Sequence, residues 1–241
     1  MGRKSAKIAA KKGAADKARS QVYTKALHDV ASAVKNGGGD PETNFLLKIA
    51  LDRCKKFNVP KDNIERAIKR GLGGDGAGYE DITYEGYGAN GVAIFVEAST
   101  NNATRTVANV RNYFTKSSGS MGKAGSLQFI FDSKAVFSIP RADLSEDDFT
   151  LEMIDAGAEE IEVEDDLFEV IGPMEVFGKI QNKLQELKVT PEEAGLQRIP
   201  TTYKMLQADD EETLPLIEKL IELLEDDEDI VQVYHNIEAT E

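Results

Sequence analysis

Between Leu72 and Gly78 four of seven residues are glycine, and the hydrophobic pattern has a different period on either side. Before this stretch apolar residues recur at helical spacing; after it they alternate, as on strands with one buried face. A chain that changes period at a glycine-rich linker has to build at least two kinds of module. In front, Val22, Tyr23, Ala26, Leu27, Val30 and Val34 define a helix over residues 21–35, which Gly37-Gly38-Gly39 stops. Asp40 and Pro41 then predict a second helix start, as N-cap and first helical residue. That helix runs to about Phe57 with Phe45, Leu46, Ile49, Ala50 and Leu51 inward. A third is predicted after Pro60, with Ile64, Ala67 and Ile68 inward and Gly71 at its end.

Behind the linker, Ile82–Glu85 and Val92–Glu97 read as strands around a glycine-rich hairpin, followed by a helix over 102–116. Ser126–Phe131 and Ala135–Ile139 read as a second hairpin. From Ala135 to Pro200 the order is strand–helix–strand–strand–helix–strand, the split βαβ order of ferredoxin-like domains. A strand over Thr202–Gln207, a helix over Glu211–Leu224 and a strand over Ile230–Ile237 supply half of the same pattern, and its other half lies before residue 132. The predicted fold class is therefore α+β: a three-helix N-terminal domain, then two ferredoxin-like α/β domains, the third inserted into the second. The boundaries are 1–78 for the helical domain with its linker, 79–133 plus 201–241 for the second domain, and 134–200 for the insert.

Charge divides at the same place. Seventeen of the 29 Lys and Arg precede Tyr79, against 8 of the 43 Asp and Glu, so the front carries +9 and the remainder −23. The overall −14 conceals this. Such a division points to a basic module that engages a polyanion, attached to a body that repels one. Candidate phosphate contacts in the first 25 residues are Arg3, Lys4, Lys7, Lys11, Lys12, Lys17, Arg19 and Lys25. Lys55, Lys56, Lys61, Arg66, Lys69 and Arg70 form a second cluster, in which Arg66, Lys69 and Arg70 share a helix face opposite Ile64 and Ile68. Cations in this arrangement suit a phosphate backbone, the sequence-independent part of nucleic-acid affinity.

Other motifs fail on context. Gly86-Tyr87-Gly88-Ala89-Asn90-Gly91 matches G-x-G-x-x-G, but a strand follows where a dinucleotide site needs a helix. Gly122-Lys123-Ala124 lacks the P-loop's first glycine and its hydroxyl. The loop Ser117–Ser126 around it admits a contact role through Lys123 or a plain connector. Two histidines, His28 and His235, and one cysteine, Cys54, stand apart in sequence, so no catalytic constellation, metal set or cofactor is expected. Cys54 is expected in the core. The run Glu225-Asp226-Asp227-Glu228-Asp229 lacks calcium-loop spacing and is expected to be solvated helix-end charge. A single cysteine and no long apolar run fit a cytoplasmic protein without a membrane partner. The opening Met1-Gly2-Arg3-Lys4-Ser5-Ala6 is neither a signal peptide nor a myristoylation site by pattern.

Residues 37–44 and 60–71, Tyr84-Glu85-Gly86-Tyr87-Gly88, Asn101-Asn102-Ala103-Thr104-Arg105-Thr106-Val107 and the loop over Gly119–Leu127 resemble signatures of the YebC/PmpR family. The opening Gly2-Arg3-Lys4-Ser5-Ala6 and the absence of Trp are similar to its smaller, YeeN-like branch. The resemblance implies three domains with the third inserted in the second, and a cytoplasmic, non-enzymatic regulator. DNA-binding control of transcription comes first, with a ribosome-associated factor contacting rRNA as the alternative. Either way the partner is nucleic acid, and the acidic domains could meet a basic protein.

Overall fold

The computed structural model describes residues 22–74, 79–141, 144–163, 166–207 and 210–240. The arm over residues 1–20 and linker residues 75–78 lie outside them.

Three helices come first: α1 (residues 22–37), α2 (Phe45–Lys56) and α3 (Lys61–Gly71). Ala26, Val30 and Val34 of α1 pack on Leu47, Ala50 and Cys54 of α2 and on Ala67 of α3. A Cβ on Gly71 would lie 2.6 Å from the Ala31 carbonyl oxygen, so glycine there permits the close approach of α3 to α1. Helix α2 starts later than the Asp40-Pro41 pair predicts. Its N-cap is Asn44, whose Oδ1 accepts the Leu47 N–H at 3.1 Å. The same amide donates at 2.8 Å to the carbonyls of Ala33 and Gly38, so one buried side chain caps α2 and ties it to α1. Asp40 instead forms a turn, accepting the Glu42 N–H on its side chain and the Asn44 N–H on its carbonyl. Cys54 is fully buried, as expected, and burial with nearby Asp29 pushes its thiol up to about 11.

The first sheet has the order β3-β1-β2-β9, from β1 (Glu80–Tyr87), β2 (Ala93–Thr100), β3 (Ser120–Met121) and β9 (Ile230–His235). Successive β2 residues serve opposite faces. Ile94 and Val96 meet Val110 and Phe114 of α4 (Ala103–Lys116) and Ile217, Leu220 and Leu224 of α7 (Leu214–Glu225). Ala93 and Phe95 pack on Leu127 and Phe131 beneath the sheet.

The second sheet is antiparallel throughout, with β4 (Phe131–Pro140), β5 (Glu160–Val163), β6 (Leu167–Pro173) and β7 (Glu193–Pro200) in the order β5-β6-β4-β7. With α5 (Glu146–Asp155) and α6 (Phe177–Glu186) this is the ferredoxin-like arrangement. Residues 126–130 are not the predicted strand. The Glu85 carboxylate accepts the backbone N–H groups of Gly125 at 2.7 Å and Leu127 at 2.6 Å, taking donors that a ladder would use. The strand therefore begins at Phe131 and pairs with β6 and β7, not with a preceding hairpin arm.

The last predicted strand is two. Asn236 divides β9 from β10 (Ile237–Thr240), and β10 pairs in parallel with β8 (Lys204–Gln207), away from the first sheet. Buried Asn236 makes the transfer: its Oδ1 accepts the Ala93 N–H at 2.8 Å and its Nδ2 donates to the Thr202 carbonyl at 3.0 Å. Among the described residues no helix is long and apolar enough to cross a membrane.

Candidate nucleic-acid interface

Seven of the sequence-predicted cations, Arg3, Lys4, Lys7, Lys11, Lys12, Lys17 and Arg19, fall in the segment outside the described residues. The other seven lie on the three helices, and most have partners. Lys55 pairs with Asp52 at 2.7 Å and Lys61 with Glu65 at 3.7 Å, each along its own helix. Lys56 reaches Glu192 at 2.7 Å and Lys25 reaches Glu225 at 3.9 Å, both in the acidic body. Arg70 turns away from Arg66 and Lys69. Its Nη2 donates to the Leu27 carbonyl at 3.4 Å, and its guanidinium lies over the Tyr79 ring, 4.9 Å from the centroid. Arg66 and Lys69 remain exposed, and among the described residues their charged heads have no ion-pair partner. The free part of the predicted helix face is thus two cations, not three.

Two cations absent from the sequence-based candidates belong to the same region. Arg53 bonds Asp29 at 2.9 Å and Glu193 at 3.2 Å, and Lys35 bonds Asp81 at 3.2 Å. Helical spacing offers a signal for Lys35, since residues 25, 28 and 35 fall within about 80° of one another around a helix. Nothing local marks Arg53, whose Glu193 partner is remote in sequence.

His28 shares this seam, with Nδ1 3.9 Å from Asp29 and Nε2 3.7 Å from Asp81. Burial opposes its charged form, but the nearby carboxylates of Asp29 and Asp81 outweigh that and hold it up at about 9. Asp81 is held well below the usual carboxylate range, with His28 the largest cause and Ser99 and Lys35 assisting. Because the folded value lies above the ordinary 6.5, this contribution to stability is complete below about pH 6.5 and fades as pH rises towards 9. An NMR titration of the two imidazoles is expected to give His28 a midpoint near 9. His235, lowered first by burial, should titrate below 6.5. A His28 midpoint near 6.5 would mean the seam does not hold in solution.

The remaining motifs are structural. Residues 86–91 form the β1–β2 turn, with a 3₁₀ turn at Ala89–Gly91 leading straight into a strand. A Cβ on Gly86 would meet the Phe114 ring at 2.7 Å, one on Gly88 would meet Ile217 at 2.6 Å, and Gly91 has φ +75°. Packing and a left-handed turn account for all three glycines. The acidic run is not wholly solvated. Asp229 is buried and accepts from Arg105 Nη2 at 2.7 Å and Thr106 Oγ1 at 2.8 Å. Asp227 accepts from Asn109 at 3.0 Å and Tyr113 at 2.9 Å, so α4 supplies donors to the α7–β9 turn. No group of three or more His, Cys, Asp or Glu among the described residues is placed to hold a metal ion.

The model of the TACO1/YebC protein N-terminal domain matches residues 3–74, and that of the TACO1/YebC second and third domain matches residues 79–237. A probable transcriptional regulatory protein of Amoebophilus asiaticus is 44% identical over 235 residues, covering 96% of this chain and 95% of its own. The probable transcriptional regulatory protein YrbC of Bacillus subtilis is 40% identical over 232 residues, 95% of each chain. The crystal structure of a conserved hypothetical protein from Aquifex aeolicus superposes with a TM-score of 0.78 at 34% identity, covering 92% of this chain and 91% of that one.

Proposed function

The chain belongs to the TACO1/YebC family, and from that membership we propose that it is a cytoplasmic transcriptional regulator that binds DNA through its basic N-terminal module. Residues 1–78 grip the phosphate backbone, residues 79–133 with 201–241 form the second domain, and 134–200 are its insert. The observation that carries this reading is the charge division, +9 before Tyr79 and −23 after it. Arg66 and Lys69 supply the outward phosphate contacts on α3, and the arm supplies the rest. Backbone contact fits α3 better than groove reading, since Asp62 and Glu65 lie on the same short helix and would approach base edges unfavourably. On this reading the module acts by binding, without catalysis.

Exchanging Arg66 and Lys69 for Glu is expected to weaken duplex binding at every sequence and to flatten the log–log salt slope by roughly 0.7–0.9 per lost phosphate contact. An unchanged slope would move the contact surface elsewhere. Cell lysate sedimented through sucrose, with crosslinking and sequencing of the bound nucleic acid, tests the target. Discrete genomic sites away from ribosomal fractions support the reading. Co-migration with ribosomes and rRNA crosslinks would replace it with the translational one.

A further inference from the structure

The helical module meets the acidic body through charge, its cations there pairing with carboxylates. Lys25, His28 and Lys35 line one face of α1, and Arg53 and Lys56 share one side of α2. Opposite them stand Glu225 at the end of α7, Asp81 on β1, and Glu192 and Glu193 at the start of β7. Three separate segments of the body thus deliver carboxylates to one cationic surface. The buried apolar cluster of the helical module contains only its own residues, so no shared core locks the two parts together. Every body carboxylate in the seam keeps substantial solvent exposure, from 38% for Glu225 to 56% for Asp81. Pairs of that kind are individually weak and screened by salt. Arg53 is also incompletely satisfied, its Nε buried without a hydrogen-bond partner.

We propose that this face of α1 and α2 is a second phosphate-binding surface, masked in the free protein by the body's own carboxylates. It rests on the nucleic-acid reading above and adds a regulatory step to it. A polyanion held by Arg66 and Lys69 on α3 is bound to the same three-helix module as the seam, and so meets it at high local concentration. Its phosphates displace Asp81, Glu192, Glu193 and Glu225 from Lys25, Lys35, Arg53 and Lys56, and the helical module swings away from the body. The −23 body acts as a built-in competitor, so short or weakly held polyanions fail to open the seam, while an extended backbone replaces all four carboxylates together.

Two full-length variants test this against a short fluorescein-labelled random-sequence DNA duplex at ~0.1 M salt. Asp81→Asn, Glu192→Gln, Glu193→Gln and Glu225→Gln combined are expected to tighten binding about tenfold, by removing the masked population. The radius of gyration of the free protein from small-angle scattering should rise in the same variant. Lys35→Gln with Lys56→Gln loosens the same seam but removes phosphate ligands, so it is expected to bind more weakly than the parent. Parental affinity in the first variant, or tighter binding in the second, overturns the masked surface while leaving the function proposed above intact. If the parent and the first variant both fail to bind the duplex, that function falls as well.

Discussion

Deletion of residues 1–20 is expected to lower affinity for duplex DNA at least a hundredfold at ~0.1 M salt, the largest functional effect of any single change to this protein. The segment contains seven of the 29 basic residues and only one acid, Asp16. Without it the front of the chain keeps ten basic residues against seven acids, close to neutral beside a body of −23. Most of those ten are already engaged: Lys25, Lys35, Arg53, Lys55, Lys56 and Lys61 each have a carboxylate partner, and Arg70 is turned onto Tyr79. The truncated protein therefore presents only Lys48, Arg66 and Lys69, all exposed, against a net repulsive field. If even half of the lost cations touch phosphate, the log–log salt slope falls by about 3. The thermal transition should hardly move, because residues 1–20 offer a core little to bury, with Met1 and Ile8 their only large apolar side chains. Affinity within twofold of the full chain would reduce the arm to a solvated tail and transfer the burden to the body.

The elements that could be read from sequence are those whose signals are local. Helix α3 begins after Pro60 and stops short of Gly73, which takes φ +75°, because proline and glycine act through their own backbone preferences. The ferredoxin-like order over 131–200 follows from period and sequence of elements, and short connections leave little choice of neighbours. The failures are tertiary. Asp40 and Asn44 are equally good caps by type, and Asn44 is chosen because its amide also reaches Ala33 and Gly38 across the turn. Residues 126–130 alternate like a strand, yet the buried carboxylate of Glu85, some forty positions earlier, claims the Gly125 and Leu127 N–H groups, and those of Ser126, Gln128 and Ile130 turn to local carbonyls. A strand signal at Ile230–Ile237 cannot say that Asn236 will hand the chain from one partner strand to another.

The candidate interface was legible as charge but not as geometry. Clustering of Lys and Arg before Tyr79 is visible in the residues themselves. Which of those cations are free depends on carboxylates far along the chain, as with Lys56 and Glu192. Long-range pairing of this kind leaves no periodic trace, so a helix face that looks uniformly basic resolves into engaged and open positions only in three dimensions. Lys35 and Arg53 show the converse, cations outside the evident cluster that the fold brings to its edge.

The largest expected loss of stability from a polar substitution is at Asp229. Replacement by Ala should cost about 2–3 kcal/mol, or roughly 5–10 °C in Tm for a chain of this size. Its carboxylate, 8% exposed, accepts both Arg105 Nε at 3.1 Å and Arg105 Nη2 at 2.7 Å, and Thr106 Oγ1 at 2.8 Å. Its own carbonyl receives the Ser99 N–H at 2.9 Å, so the residue ties β2, α4 and the α7–β9 turn at one point. The loss is bounded from above by two escapes. Thr106 keeps Thr100 Oγ1 and the Asn102 carbonyl within 3.1 Å, and half-exposed Arg105 can return to water. It is bounded from below by the forked, charge-assisted pair, which a single water cannot reproduce. Asp229→Asn keeps the volume but turns an amide N–H₂ towards donors, so it should recover little. Arg105→Lys should recover less than half of the loss seen for Arg105→Ala, because an ammonium cannot span both carboxylate oxygens. The chain has no Trp, and Tyr84 and Tyr113 lie in or against the core beside this clamp, so tyrosine fluorescence during urea unfolding reports it directly. In a double-mutant cycle the Arg105→Ala and Asp229→Ala losses should fall clearly short of additivity, because each removes the same shared bonds. An Asp229→Ala loss below about 0.5 kcal/mol would show that solvent replaces the clamp, and the Asn101–Val107 segment would then owe its residue types to something other than holding the closing strand.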